Sequence, residues 1–229
     1  FSGRTYRAVG YTVSEGGETL DMDAVRRKAL ECRPRLIIAG ASAYPRTIDF
    51  AAFGEIAREV GAMLMCDIAH VAGLVAGGAH PSPLPHADFV TTTTHKTLRG
   101  PRGALIMARQ KYAKRIDTAV FPGTQGGPFM HEILARAVAL REAASETFAD
   151  YARRVVANAA ALAERLGEAG WRLISGGTDN HLMLIDLRSR LEDVDGHVAS
   201  GWLCEAGLVA NKNTIPFDPR GPAAPSGLR

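Results

Sequence analysis

The sequence predicts an α/β fold: a large domain with a mostly parallel sheet flanked by helices, followed by the start of a smaller α/β C-terminal domain. Apolar runs of strand length alternate with longer segments of helical period, which is typical of a parallel sheet whose crossovers are helices. The predicted strands of the large domain span residues 35–42, 62–69, 89–94 and 102–108. This spacing predicts an extensive sheet.

Helices are predicted between and after these strands. The helix between the first two strands has Asp49 as a suitable N-cap and Gly61 as a stop. Residues 21–32 form another capped amphipathic helix. Residues 128–170 are rich in Ala, Glu, Arg and Leu, which predicts one or two long helices that leave the sheet, with an interruption at residues 148–151.

The last part of the chain has the pattern of a second unit. Strands are predicted at residues 171–175 and 181–187, on either side of the turn GGTDN, and a helix at residues 194–207 ends in glycine. We therefore assign residues 1–150 to a large cofactor-binding domain and residues 151–229 to part of a smaller C-terminal domain.

Composition excludes several classes of protein. With 46% hydrophobic residues the chain is globular, and its net charge of +3 comes from Lys and Arg scattered among Asp and Glu, which argues against a nucleic-acid partner. No apolar run approaches the roughly 20 residues that a membrane span needs, so we expect no membrane association and a cytoplasmic location. Cys32, Cys66 and Cys204 form no CxxC pair, so neither a disulfide framework nor a metal site is expected. The start at Phe1 without a methionine suggests a piece of a longer protein.

Two polar segments follow apolar strands, where open α/β sheets place their ligands. Asp67 ends one predicted strand and needs a partner, because a carboxylate taken out of water alone is costly; a protonated pyridine nitrogen is such a partner. Lys96 follows the next strand, where partial desolvation would make its amine nucleophilic toward an aldehyde. Together the acid and the lysine indicate pyridoxal phosphate.

Four segments are similar to the signatures of the serine hydroxymethyltransferase family, in the family's order and at its spacing: DIAHVAGLVAGG, TTTTHKTLRGPRG, FPGTQGGP and GGTDNHLMLIDL. The resemblance runs over nearly all of the 229 residues. It implies the fold type I aminotransferase architecture. By comparison with the family, the chain lacks an N-terminal portion and the end of the C-terminal domain.

The resemblance implies roles for five residues around the cofactor. Lys96 resembles the family's Schiff-base lysine, Asp67 the acid bound to the pyridine nitrogen, and His70 the histidine beside the phenolic oxygen. Thr93, which we count among the catalytic candidates, and His95 match positions of the cofactor pocket. Considered without the resemblance, the first three would be a surface lysine, an N-cap and a core histidine.

Five further residues match family positions. Ser42 matches a cofactor-contacting serine, and Gly126 and Gly127 match a loop that reaches the cofactor phosphate of the neighbouring subunit. Arg102 resembles an arginine near the active site, and Arg229 aligns with the arginine that binds the substrate carboxylate. Considered without the resemblance, these residues would be interpreted as turn residues and surface arginines. The shared loop implies a homodimer with shared active sites, and a tetramer stays open.

The implied reaction interconverts serine and glycine and transfers a one-carbon unit to tetrahydrofolate. The chain departs from the family near the expected folate site, where it has Gly221, Pro222, Ala223 and Pro225. A relative that acts on α-methylserine or another β-hydroxy amino acid therefore stays open, as does a threonine aldolase or an aminotransferase. A nucleotide-binding module is disfavoured, because GPRGALI lacks the Lys-Ser/Thr ending of a P-loop.

Overall fold

The computed structural model describes residues 2–229 and contains two sheets. The helices are α1 (Ser2–Thr5), α2 (Met22–Cys32), α3 (Phe50–Val60), α4 (Ala72–Ala76), α5 (Ala113–Thr118), α6 (Met130–Ala143), α7 (Glu146–Glu168) and α8 (Gly196–Glu205). The strands are β1 (Leu36–Ala39), β2 (Met63–Asp67), β3 (Phe89–Thr93), β4 (Ala104–Ala108), β5 (Arg172–Leu173), β6 (Ile185–Asp186), β7 (Lys212–Asn213) and β8 (Gly227–Leu228). None of the helices in this part of the chain is long and apolar enough to cross a lipid bilayer.

The first sheet has the strand order β1-β2-β3-β4. Its first three strands are parallel, and β4 runs antiparallel to β3. All four strands predicted for the large domain are present, and each is shorter than predicted. The mostly parallel sheet and the α/β class are therefore confirmed.

The core of the protein lies on one face of this sheet. Alternate strand residues such as Ile37, Leu64 and Val90 are buried with Phe50 and Phe53 of α3 in one apolar cluster. On the opposite face, the outward residues remain exposed to 38% for Leu36, 51% for Ile38 and 48% for Ile106. Residues 2–229 therefore pack the sheet tightly on one side only.

The predicted helix ends are confirmed. The side chain of Asp21 accepts hydrogen bonds from the amides of Asp23 and Ala24 at the start of α2. Asp49 does the same for Ala52 in α3, and Gly61 ends that helix in the left-handed conformation at φ 70°.

The prediction for residues 128–170 needs two corrections. The break lies at Ala144 and Ser145, where the Ser145 hydroxyl accepts the Phe148 amide at 3.2 Å and begins α7, so the predicted interruption at residues 148–151 is wrong. The expected departure from the sheet is also wrong for α7, because Phe148 and Ala152 are buried in the core of the first sheet.

The second sheet is antiparallel, with the order β5-β6-β8-β7. Its strands have two residues each, so the predictions of strands at 171–175 and 181–187 were too long. Backbone geometry explains this, since Ser175 has a positive φ of 55° and a 3₁₀ turn at Leu187–Ser189 follows β6. The predicted domain division at residue 150 lies inside α7 and stays a prediction.

Gly40 allows the backbone after β1 to pack closely against the end of β2. Its φ is +147°, and a Cβ built on it would lie 2.2 Å from the carbonyl oxygen of Asp67. Any larger residue there must displace the backbone that carries Asp67.

Replacing Gly40 with alanine should therefore destabilise the fold by about 1–3 kcal/mol, from backbone strain and the overlap with Asp67. Urea unfolding followed by circular dichroism measures this. Gly221→Ala is the matched control, because nothing lies within 4 Å of its Cβ position, and it should change the free energy of unfolding by less than about 0.5 kcal/mol. Equal stability of the two variants would show that the close approach is not a constraint.

Candidate active site

Asp67 is the last residue of β2, and its carboxylate is held by two donors. One oxygen accepts the hydroxyl of Thr91 at 2.8 Å and the other accepts the amide of Ala69 at 3.0 Å. Thr91 is the residue directly opposite Asp67 in the β2–β3 register. The strand pairing therefore places and orients the carboxylate.

The threonines of β3 alternate between the two faces of the sheet. Thr92 and Thr94 are buried, at 4% and 2% exposure, and Thr94 donates to the carbonyl of Pro101. Thr91 and Thr93 lie on the other face with Asp67, and Thr93 donates to the carbonyl of Ala69 at 3.3 Å. Of the predicted pocket threonines, Thr93 is therefore on the side of the candidate site.

The turn that carries Lys96 is tied to the segment after Asp67. The hydroxyl of Thr97 donates to the carbonyl of His70 at 2.9 Å and accepts the amide of Gly73 at 2.9 Å. A Cβ on Gly73 would lie 2.1 Å from the carbonyl oxygen of Thr97, so the close approach requires glycine. Lys96 is therefore fixed at the same edge of the sheet as Asp67 and His70.

Lys96 and Asp67 are both exposed. The expected partial desolvation of Lys96 is therefore wrong for this chain, because within residues 2–229 the face of the sheet that carries Asp67 is not covered. The amine of Lys96 makes no hydrogen bond or ion pair with the described residues, so it is accessible to a ligand that enters this edge.

His70 lies among the charged groups of this edge. The pKa of His70 is lowered to about 4, chiefly by burial and then by the positive charges of Lys96 and Arg229, while the charge of Asp67 opposes them. His70 is therefore neutral near pH 7. Lys96, Asp67 and Arg229 thus lie close enough to His70 for their charges to act on its imidazole.

Arg229 reaches this edge from the C-terminal part of the chain. It follows β8, and its guanidinium donates to the carbonyl of Ser42 at 2.8 Å. Its backbone is held by two hydrogen bonds with Asn211. The structure thus brings Ser42 and Arg229 together, with Ser42 contributing its carbonyl to this contact.

The turn at residues 175–180 docks on the loop after β1 and aligns the two parts of the protein. Arg46 donates to the carboxylate of Asp179 at 2.8 Å and to the hydroxyl of Ser175 at 3.0 Å. The side-chain amide of Asn180, which is 1% exposed, donates to the carbonyl of Tyr44 at 2.9 Å. These contacts fix the residue that follows, His181.

His181 packs against His70 across this junction. The ring centroids lie 6.2 Å apart with an angle of 28° between the planes. The pKa of His181 is lowered to about 4, chiefly by burial and then by the charges of His70, Arg229 and His80. Both imidazoles are therefore uncharged at neutral pH.

The remaining predicted site residues lie apart from these contacts. Arg102 is exposed and pairs with His95, at 3.1 Å between its guanidinium and Nε2. Gly126 and Gly127 are exposed, and none of the described residues lies within 4 Å of either Cβ position. Their roles stay predictions.

The sequence reasoning missed three side chains that build the site. Thr91 and Thr97 are part of the TTTTHKT motif, but only Thr93 among its threonines was singled out as a site residue, although alternation along a strand places Thr91 on the face of Thr93. His181 lies in the GGTDNHLMLIDL motif, where a histidine between a polar turn and an apolar strand was the only signal.

Comparison with protein families agrees with this geometry. The family model described as serine hydroxymethyltransferase matches residues 1–229. The chain belongs to the serine hydroxymethyltransferase family. The resemblance seen in the sequence motifs is therefore confirmed, and with it membership of a family of pyridoxal-phosphate-dependent transferases that use tetrahydrofolate.

The residues present fit pyridoxal phosphate. The fixed carboxylate of Asp67 suits the ring nitrogen, and the exposed amine of Lys96 suits the aldehyde. In the described part of the chain, no group of three or more His, Cys, Asp or Glu side chains is arranged to hold a metal ion.

The lowered pKa values of His70 and His181 predict how stability depends on pH. Below about pH 6.5 the unfolded chain takes up protons on both imidazoles, whereas the folded chain does so only near pH 4, so stability should fall between pH 7 and pH 5. The urea midpoint measured at both pH values, above the usual range of carboxylates, tests this.

The double variant His70→Gln/His181→Gln is the control. It removes both imidazoles and should show a smaller drop in midpoint over the same interval. A midpoint in the original chain that does not change between pH 7 and pH 5, or an equal drop in the variant, contradicts the assignment.

Proposed function

We propose that the chain catalyses the interconversion of serine and glycine with transfer of the one-carbon unit to tetrahydrofolate, with Lys96 holding pyridoxal phosphate. One observation carries the proposal: Asp67 ends β2 and Lys96 lies in the turn after β3, and hydroxyl bonds from Thr91 to Asp67 and from Thr97 to His70 hold these two segments at one edge of the sheet. Membership of the serine hydroxymethyltransferase family supports the same reaction.

Asp67 and Lys96 have separate tasks in this proposal. When bound, the cofactor supplies a ring that withdraws electrons from the α carbon of the substrate. The carboxylate of Asp67, fixed by Thr91 and Ala69, keeps a proton on the ring nitrogen by its negative charge. Lys96 would hold the aldehyde carbon of the cofactor, and its amine would be placed to accept or return a proton.

Arg229 binds the carboxylate of the amino acid. One guanidinium nitrogen is engaged by the carbonyl of Ser42, which orients the planar group. Its other donors make no hydrogen bond with residues 2–229, so an edge of the fork remains for a bidentate contact. Neutral His70 lies beside Arg229 and can donate or accept one hydrogen bond without adding charge.

Labelling of Lys96 tests the proposal. Incubation with pyridoxal phosphate, followed by borohydride reduction and peptide mass spectrometry, should place the reduced adduct on Lys96. Lys96→Arg should lose the adduct and reduce turnover by at least about 100-fold, because a guanidinium cannot form the covalent link. Lys114→Arg, a change of an exposed lysine on α5, is the matched control and should keep both the adduct and the turnover.

Substrate dependence separates the alternatives in the same preparation. Serine should be converted to glycine only with tetrahydrofolate present. Rapid cleavage of threonine without folate would favour an aldolase, conversion of serine to a keto acid would favour an aminotransferase, and preference for α-methylserine would favour the close relative. An adduct on another lysine would overturn the site assignment.

We also propose a homodimer with shared sites. Its support is an apolar surface on α6 and the segment before it, where Phe129, Met130, Leu134 and Val138 are 73%, 68%, 67% and 52% exposed. Such a surface is typical of a subunit interface. Gly126 and Gly127 precede it and would present backbone amides to the cofactor phosphate of the partner. A tetramer and the cytoplasmic location stay predictions.

The double variant Leu134→Asp/Val138→Asp should dissociate the dimer, because charges at the interface centre cannot be desolvated cheaply. Sedimentation equilibrium should give twice the 24.4 kDa chain mass for the original protein and a single chain for the variant. Leu162→Asp, which changes a leucine that is 55% exposed on α7, is the control and should remain dimeric. A monomeric original protein, or a dimeric double variant, contradicts the proposal.

A further inference from the structure

His181 has no structural task that explains its chemistry. Its Nδ1 is buried and makes no hydrogen bond with residues 2–229. An unpaired buried polar atom costs about 1–3 kcal/mol, so an apolar side chain would serve packing alone better. The ring of His181 is therefore held at this position at a cost to stability.

The backbone around His181 is held firmly. Asp179 accepts the guanidinium of Arg46 at 2.8 Å and the amide of Thr47 at 3.0 Å, and the Asp179 amide donates to the carbonyl of Pro45 at 2.8 Å. Asn180 adds the bond to Tyr44. The position of the His181 ring is therefore set by the junction between the two parts of the protein.

The ring of His181 lies beside that of His70. The ring centroids are 6.2 Å apart and the ring planes are inclined by 28°, so the two rings form an offset pair. The groups that act on His70 are Lys96 after β3, Arg229 after β8, Asp67 at the end of β2, and burial. Those that act on His181 are His70, Arg229 and His80, together with burial.

We propose that His181 is a positioning residue for His70: its ring packs beside the imidazole of His70 and limits the access of water to it. The proposal rests on the proposed function only for the use made of neutral His70 beside the cofactor. A protonated His70 would add a third positive charge to Lys96 and Arg229 and would lose its acceptor nitrogen. Holding it neutral preserves an imidazole that can orient a bound oxygen.

A third buried histidine is among the groups that act on His181. His80 is 6% exposed, its Nδ1 lies 3.0 Å from the carbonyl of Pro81, and its Nε2 is unpaired among the described residues. Burial also lowers the pKa of His80.

Titration of the histidines by NMR tests the proposal without cofactor. With histidine labelled with ¹³C at Cε1, and with His70→Gln and His181→Gln used for assignment, the His70 signal of the original chain should stay constant from pH 8 to pH 5. In His181→Ala, water reaches His70, and its midpoint should rise by about one unit or more into this range. His181→Phe keeps a flat ring in place and should leave His70 untitrated.

His197→Ala is the matched control, because it makes the same change at an exposed histidine of α8, and it should leave the His70 signal as in the original chain. Titration of His70 near pH 6.5 in the original chain, or an unchanged His70 in His181→Ala, would overturn the proposal. The first of these outcomes is measured on the original chain, so it does not depend on whether His181→Ala folds.

Borohydride labelling of the same proteins separates the two proposals. Failure to label Lys96 in the original chain would remove the proposed function but leave the effect of His181 on His70 intact. Labelling of Lys96 in all variants, with His70 unmoved by His181→Ala, would retain the proposed function and remove the positioning role.

Discussion

The hydrogen bond from Thr91 to Asp67 across β2 and β3 is the contact on which the site depends. A shift of one residue in this register would turn Asp67 toward the apolar core and Cys66, now fully buried, outward. Further threonine hydroxyls continue the pairing beyond the strands, from Thr93 to Ala69 and from Thr97 to His70. The two segments with the catalytic candidates are therefore held in register by side chains where backbone pairing has ended.

A second constraint comes from the C-terminal part of the chain. The turn at residues 175–180 makes its polar contacts with the loop after β1, and the buried Asn180 satisfies backbone groups on both sides, at Tyr44 and Leu182. Such a buried polar junction is specific in geometry, because any displacement leaves these groups unpaired. This junction places His181 beside His70, and β8 places Arg229 against the carbonyl of Ser42.

Local signals explain how much of the fold the sequence predicted. Caps such as Asp49 and Gly61 act on neighbouring backbone groups, so a few adjacent residues are enough to predict them. The break before α7 was misplaced because Phe148 suggested an interruption, whereas the cap at Ser145 ends one helix and begins the next. The short strand β6 and the fit of α7 on the first sheet depend on tertiary packing, which periodicity does not contain.

In the candidate site, too, some features could be predicted from local sequence and others depend on tertiary packing. Asp67 and Lys96 were predictable, because charged residues after apolar strands mark the edge where ligands bind. The hydroxyl bonds of Thr97 and the stacking of His181 were not, since each joins segments far apart in sequence: 27 residues separate Thr97 from His70. The predicted desolvation of Lys96 was wrong for a similar reason: which elements pack on a sheet face is decided by the whole fold and not by the residues near Lys96.

The distribution of charge follows from this one-sided packing. Asp67 and Lys96 lie on the face that water reaches, whereas the imidazoles of His70 and His181 are partly buried and neutral. Burying an ion without a partner is costly, and burying a neutral imidazole is far less so. The fold therefore leaves its carboxylate and amine exposed at the open edge and buries its imidazoles more deeply, so that a ligand entering that edge would meet a fixed carboxylate, an exposed amine and an uncharged imidazole at once.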